Sequence, residues 1–177
     1  MESSGSSADI SRDPPRLLGV LSDTHDNVPA AAAGIATLRA AGSQFLIHCG
    51  DVGGEGIFDL LAGMPCLFVW GNNDYDRASL KRYASELGIQ CGDDFARLEF
   101  GNKKISVTHG DNPSLVREVT AGSDYQYLFL GHSHIPLDQM AAKVRIVNPG
   151  ALHRAAKKTV AVVDLQTDLV KHLVVRI

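Results

Sequence analysis

The sequence has no apolar run approaching the roughly 20 residues needed to cross a membrane, so no spanning helix is expected. Cysteine is scarce: Cys49, Cys66 and Cys91, with no C-x-x-C pair. The odd count and the spacing suggest neither a disulfide framework nor a zinc knuckle. Free thiols fit a reducing compartment. No charge of one sign dominates, since 17 Lys and Arg stand against 20 Asp and Glu for a formal net charge of -3. That gives no broad footprint for nucleic acid or an acidic membrane, and no stable nucleic-acid binding is expected. Residues Met1 to Pro15 are rich in Ser, Gly and charge. They lack the apolar core of a secretory signal and read as a disordered tail, with the protein in the cytoplasm. There is no internal repeat and no linker. No G-x-G-x-x-G follows the first apolar run, which argues against a Rossmann nucleotide-binding module.

What is present suits one domain over residues 16–177, with 45% hydrophobic and 21% charged residues in a chain of 177. Leu17 to Leu21, Phe45 to Cys49 and Cys66 to Trp70 are short apolar runs that read as buried strands. Between and after them, Pro29 to Ala41, Glu55 to Ala62 and Arg77 to Leu87 read as helices. Pro29 suits a first turn, and Gly42 and Gly88 suit helix ends. Alternating strand and helix argues for parallel βαβ units. The second half changes character. Phe95 to Phe100 and Lys103 to Thr108 flank Gly101-Asn102, a hairpin signal. A helix from Ser114 to Ala121 follows, then strands at Tyr127 to Leu130, Val144 to Val147, Thr159 to Leu165 and Leu169 to Ile177. The expectation is an α/β fold whose two halves build two sheets packed face to face.

The chemistry-bearing residues fall where apolar runs stop. The runs end in Ser22-Asp23-Thr24-His25, Gly50-Asp51, Gly71-Asn72-Asn73-Asp74, Thr108-His109-Gly110 and Gly131-His132-Ser133-His134. Ligands of open α/β sheets bind beyond the C-terminal strand ends, so the five segments should converge. In extended chain, residues i and i+2 share a side. Asp23 and His25 can then reach one ion, and His132 and His134 two adjacent ions. Asp51 has two oxygens with which to bridge a pair. A lone strand-end His is ordinarily a structural residue and a lone Gly-Asp ordinarily a turn. Five successive segments of ligand types, two of them at i,i+2 spacing, point instead to a metal site. Asp, His and Asn without thiolate suit manganese, iron, zinc or nickel better than a structural zinc site. Bound cations would also let a net-negative chain take a phosphate substrate.

These segments resemble the calcineurin-like metallophosphoesterase superfamily, whose pattern runs D-x-H, G-D, G-N-H-D/E, H, G-H-x-H. The resemblance spans about residues 17–165. The short length and Asn148-Pro149-Gly150 are similar to its small single-domain YfcE/Vps29-like subgroup. The resemblance implies a two-sheet α/β sandwich flanked by helices and two divalent metal ions, manganese first, with iron, zinc or nickel as alternatives. One ion would be held by Asp23, His25, Asp51 and His134, the other by Asp51, Asn72, His109 and His132. It implies a hydrolase acting on small phosphate esters by in-line attack of a metal-bridging hydroxide, the two metals about 3.5–4 Å apart.

One position departs from the pattern. The G-N-H-D/E histidine is Asn73, which donates a hydrogen bond but delivers no proton near neutral pH. That shifts the expectation toward diesters. Asp74 is expected to accept a ring N–H from a liganding His, or to cap the helix that starts near Arg77. His48 reads as structural and His172 as solvent-facing. His153 and the run Arg154, Lys157 and Lys158 are candidates for the site entrance. The rival readings are a phosphomonoesterase or nucleotide pyrophosphatase on the same site, and a scaffold or interaction protein of the Vps29 kind. Apolar residues on the last strands would support a homo-oligomer.

Overall fold

The computed structural model describes residues 14–122 and 124–177. Most of the expected tail, residues 1–13, lies outside the described residues. Eleven strands are described: β1 (Leu17–Leu21), β2 (Phe45–His48), β3 (Cys66–Phe68), β4 (Gln90–Cys91), β5 (Phe95–Phe100), β6 (Lys103–Thr108), β7 (Tyr127–Phe129), β8 (Leu137–Ala141), β9 (Val144–Asn148), β10 (Thr159–Asp164) and β11 (Leu169–Val174). The helices are α1 (Val28–Ala40), α2 (Glu55–Leu61), α3 (Arg77–Glu86) and α4 (Pro113–Ala121). One sheet has the order β11-β10-β1-β2-β3-β4 and the other β5-β6-β7-β9-β8. This is the expected two-sheet α/β sandwich flanked by helices.

The division between sheets differs from the expectation. The chain does not split into halves, because β10 and β11 return to the first sheet and pair antiparallel beside β1. Every residue of β10 is buried, since it is an interior strand with both faces covered. Two strands were not anticipated. β4 has two residues, and β8 is an exposed edge strand whose sequence Leu-Asp-Gln-Met-Ala shows no clean alternation.

Alternation along the strands builds three layers of core. Leu18, Val20, Phe45, Ile47 and Leu67 point inward, where they meet Ala96, Phe100, Ile105, Val107, Tyr127, Phe129 and Val147 of the second sheet. Leu21, Leu46, Phe68, Val160 and Val162 point outward and pack under the first three helices, against Ile35, Leu38, Ile57, Phe58 and Leu80. Leu128, Val144 and Val119 form a smaller cluster beneath α4. The helix ends follow local chemistry. Asn27 accepts the Ala30 N–H at the start of α1, and Asn112 accepts those of Ser114 and Leu115 at the start of α4. No helix among the described residues is long and apolar enough to cross a membrane.

Strands β1, β2 and β3 run parallel to one another in the first sheet, and β6, β7 and β9 do so in the second. Their C-terminal ends therefore open at one end of each sheet, and the ligand-type residues follow those ends. Far from there, the β10–β11 turn is tied to the second sheet by Asp168. Its carboxylate takes Lys103 Nζ at 2.7 and 2.8 Å and the Tyr127 hydroxyl, and Arg145 reaches its carbonyl. The Tyr127 ring is buried, so losing the acceptor strands its hydroxyl. Asp168→Ala is expected to cost about 1–3 kcal/mol, read as a lower urea midpoint at unchanged slope. An unchanged midpoint would mean that water replaces the carboxylate.

Candidate metal centre

Asp23 follows β1, Asp51 follows β2, and His109 follows β6. All three are essentially inaccessible to solvent. Their loops are laced together by backbone bonds: Asp23 N–H to Gly50 O at 3.0 Å, His25 N–H to Asp51 O at 3.0 Å, and Gly131 N–H to His109 O at 2.9 Å. The Asp23 Oδ2 accepts the His132 N–H at 3.1 Å, which joins the first sheet's loop to the second's.

All seven expected ligands come together. His134 Nε2 lies 3.1 Å from Asp23 Oδ1, and His25 Nε2 lies 3.9 Å from the same oxygen. Asp51 Oδ2 sits 3.4 Å from both His25 Nε2 and His109 Nε2. His109 Nε2 is 3.1 Å from Asn72 Oδ1, and the His132 ring centre is 5.1 Å from that of His109. Asp23, His25 and His134 form one group able to hold an ion, and Asp23, Asp51 and His109 a second.

The backbone there is not the extended chain expected from i,i+2 spacing. Asp23, His25, Asp51, His132 and His134 all have φ between 44° and 65°. Left-handed backbone is uncommon outside glycine, and it clusters here because the loops over-determine it. His134 lies beside Asp23, and His132 beside His109.

The ligand atoms converge with their lone pairs facing one another. Asp23 Oδ1 and His25 Nε2 are buried without a hydrogen-bond partner. His109 Nδ1 donates to Cys49 O at 2.8 Å. That directs Nε2 at Asn72 Oδ1 and Asp51 Oδ2, two oxygens that also carry lone pairs. Such a nest of acceptors is stable only around a cation. In the ion-free protein a proton is the alternative. Burial pulls the His109 imidazole down, but Asp51, the Cys49 carbonyl and Asp23 outweigh it and hold its pKa above the ordinary histidine value. Burial likewise pushes the Asp51 carboxyl up, but hydrogen bonds with His109 and with the Asn73 side chain and backbone hold it below the usual carboxylate range. The residues fit a divalent cation on their own geometry.

Two expected catalytic residues behave differently from expectation. Asn73 grips Asp51, its N–H donating to Oδ1 and its Nδ2 to Oδ2, each at 2.8 Å. Asp74 neither meets an imidazole nor caps a helix. Its oxygens accept the Gly71 N–H at 2.8 Å and the Gly53 N–H at 3.0 Å, and Asp76 caps α3. Asp74 ties two ligand loops together by backbone, and burial raises its pKa.

Other residues share that work. Arg77 was not anticipated. Its guanidinium donates to Gly71 O at 2.9 Å and Asp74 O at 3.0 Å and pairs with Asp94 at 2.8 Å, so it clamps the loop that carries Asn72. A cation opening a helix opposes the helix dipole, and that was the signal available in the sequence. His48 is structural, as expected. Its Nδ1 accepts the Gly50 N–H at 3.2 Å, and its Nε2–H therefore donates to Thr24 Oγ1 at 2.9 Å, whose hydroxyl donates to Val52 O at 2.8 Å. His172 is half-buried rather than solvent-facing, and donates to Asn148 O at 2.7 Å. Asn148 in turn holds Gly131 O and Ser133 Oγ, at 2.7 and 3.1 Å. The His153 ring lies 5.1 Å from that of His25, which brings the start of the Arg154–Lys158 run to the edge of the site.

Two glycines permit the close approach. A Cβ on Gly131 would collide with Ser22 Oγ and lie 2.7 Å from Asp23 Oδ2, and one on Gly71 would collide with Asp51 itself. Gly71→Ala is expected to cost about 1–3 kcal/mol and to weaken metal binding together with stability. Calorimetric titration of a divalent ion beside a melting curve checks this. Wild-type metal affinity in the variant would show that Asp51 needs no such fit.

A family model described as the calcineurin-like phosphoesterase superfamily domain matches residues 17–168. The phosphodiesterase MJ0936 of Methanocaldococcus jannaschii is 27% identical over 136 residues, covering 75% of this chain and 82% of that one. The structure of an archaeal phosphodiesterase superposes with a TM-score of 0.84 at 24% identity, covering 90% of this chain and 99% of that one. YfcE, a phosphoesterase from E. coli, gives a TM-score of 0.66 at 17% identity, with 90% and 100% covered. The two structures share the fold of this chain.

Proposed function

The chain belongs to the calcineurin-like phosphoesterase superfamily, and on that premise we propose that it is a phosphodiesterase working with two divalent metal ions, manganese first among them. The observation that carries this reading is the buried, partnerless pair Asp23 Oδ1 and His25 Nε2 beside the lone pairs facing His109. The name of the phosphodiesterase relative supports the diester preference.

Asp23, His25, Asp51 and His134 would hold one ion, and Asp51, Asn72, His109 and His132 the other. Divalent ions supply Lewis acidity there, polarising phosphoryl oxygens and acidifying water. The remaining work is done by side chains. Cys49 O fixes the His109 tautomer so that Nε2 faces the cleft. Asn73 keeps both Asp51 oxygens in place. Its amide can turn a donor to a phosphoryl oxygen but has no proton to give a leaving group, so the departing alcohol takes its proton from water. His153 and the basic run attract an anionic substrate. The three free cysteines suit a cytoplasmic setting.

Because a general acid contributes roughly 10²–10⁴-fold and matters least for a good leaving group, the substrates should differ only in esterification. Bis(p-nitrophenyl) phosphate is expected to turn over at least about tenfold faster than p-nitrophenyl phosphate with the same metal. Equal or faster monoester turnover would defeat the diester preference.

A further inference from the structure

We infer that Arg77 is a positioning residue for one ion alone. With Asp94 it sets the distance between Asn72 and His109, so that the affinity for the ion they hold depends on it and the affinity for the other ion does not. The inference rests on the two-ion reading of the site and adds a device that acts on one half of it.

The two ligands come from different sheets. Asn72 lies on the loop after β3, and His109 follows β6. Their facing atoms, Asn72 Oδ1 and His109 Nε2, are 3.1 Å apart. The chain between them crosses from the first sheet to the second at residues 92–94, the short link from β4 to β5. That link is fixed to the first sheet by the Gly92 N–H, which donates to Phe68 O at 2.8 Å, and by Asp93 O, which accepts the Trp70 N–H at 2.8 Å. It also holds the second sheet. Thr108, the residue before His109, donates its hydroxyl to Asp94 O at 3.1 Å.

Arg77 closes the remaining side. Its guanidinium donates to Gly71 O at 2.9 Å and Asp74 O at 3.0 Å, on either side of Asn72, and its third bond runs to Asp94 Oδ1 at 2.8 Å. It also lies over the Trp70 ring, 5.8 Å from the centre. Asn72 and His109 are thereby tied through one residue, Asp94, whose carboxylate takes the first loop and whose carbonyl takes the second. An exposed ion pair is by itself worth little. The fork matters more, because a planar guanidinium fixes the carbonyls it binds in one arrangement, and a lysine ammonium does not.

The other ion's ligands stand outside this arrangement. Asp23 and His25 follow β1 and His134 follows β7, and among the described residues no hydrogen bond of Arg77 or Asp94 reaches them. Asp51 is common to both ions. Asn73 grips it, but its own loop is also tied to that of Asp23, through His25 N–H to Asp51 O at 3.0 Å. Loosening residues 71–74 therefore leaves Asp51 in place for the first ion.

The test is calorimetric titration of manganese into the chelator-stripped full chain, for the wild type, Asn72→Ala, Arg77→Gln and the double variant. Asn72→Ala identifies the binding step that belongs to its ion. Arg77→Gln is expected to weaken that same step about tenfold, to leave the other step unchanged, and to add little in the Asn72→Ala background, because it acts through Asn72. Melting curves of the metal-free variants read the structural cost separately. Should Arg77→Gln not fold, Arg77→Lys, which keeps the charge and loses the fork, is read in the same way with a smaller effect. Unchanged affinity, equal weakening of both steps, or full additivity with Asn72→Ala would overturn the inference. A single equivalent of manganese in the wild type would sink the two-ion reading. The positioning role would then stand if Arg77→Gln weakens that equivalent through Asn72, and fall if it does not.

Discussion

Asp51→Asn is expected to lower diester hydrolysis at least about 100-fold and to leave the fold standing. Losing a partner that merely orients a metal ligand already costs roughly 10–100-fold, and Asp51 is placed inside that shell, between His25 and His109. The substitution is chosen for its backbone. Asp51 sits at φ 54°, and asparagine tolerates the left-handed region better than other residues. It also keeps one oxygen to accept from Asn73. The change therefore removes charge and little else. Comparing kcat/KM on bis(p-nitrophenyl) phosphate with the melting temperature separates the two effects. Full activity in a folded variant would remove Asp51 from the ligand set.

The second large effect is acid sensitivity of the metal-free protein through His48. This imidazole is buried between Thr24 and Gly50. Burial, then the nearby His109, lower its pKa from 6.5 to about 3. The folded state therefore refuses a proton that the unfolded chain accepts. Between pH 6.5 and about 3 the unfolded state binds more protons, so stability falls as pH falls. The loss is on the order of a few kcal/mol across the window. Neighbouring groups act elsewhere on the scale. Asp51, whose pKa is lowered, loses its contribution only as pH drops below the usual carboxylate range. His109, whose pKa is raised, contributes fully below 6.5 and loses that contribution as pH rises through its folded value. Urea unfolding in chelator at pH 7 and pH 4.5 reads the His48 effect, and His48→Gln should flatten the dependence. Equal midpoints in the wild-type protein at the two pH values would contradict it.

The strand runs and helix caps were legible because their causes are local. Short apolar runs stopped by Gly mark buried strands, and Pro29, Gly42 and Gly88 punctuate the helices. Sheet membership was not legible, because nothing local to Thr159–Asp164 says that it lies beside Leu17–Leu21. β8 escaped for a related reason: an exposed edge strand leaves no hydrophobic signature. At the site, residue type and position at strand ends pointed to Asp23, His25, Asp51, His109 and His134, which the loops bring together in two groups able to hold an ion. The supporting contacts were harder to read. Asp74 binds Gly53 and Gly71 backbone, and His172 binds Asn148 O from the far edge of the first sheet. Both are long-range pairings of a side chain with a main-chain atom, and a main-chain atom has no residue identity to betray it. The backbone at Asp23 and His25 was not legible either, since both residues are left-handed where i,i+2 spacing suggested extended chain.

The central claim is that the Asp-His-Asn constellation is a working metal centre for phosphoester hydrolysis. Its most direct test is hydrolysis of bis(p-nitrophenyl) phosphate by chelator-stripped protein, with manganese, nickel, zinc or magnesium restored singly. The account predicts no turnover without metal and turnover regained with at least one ion, manganese foremost. Two equivalents of metal bound with no turnover from any ion would contradict it, and would describe a binding protein that has kept its ions.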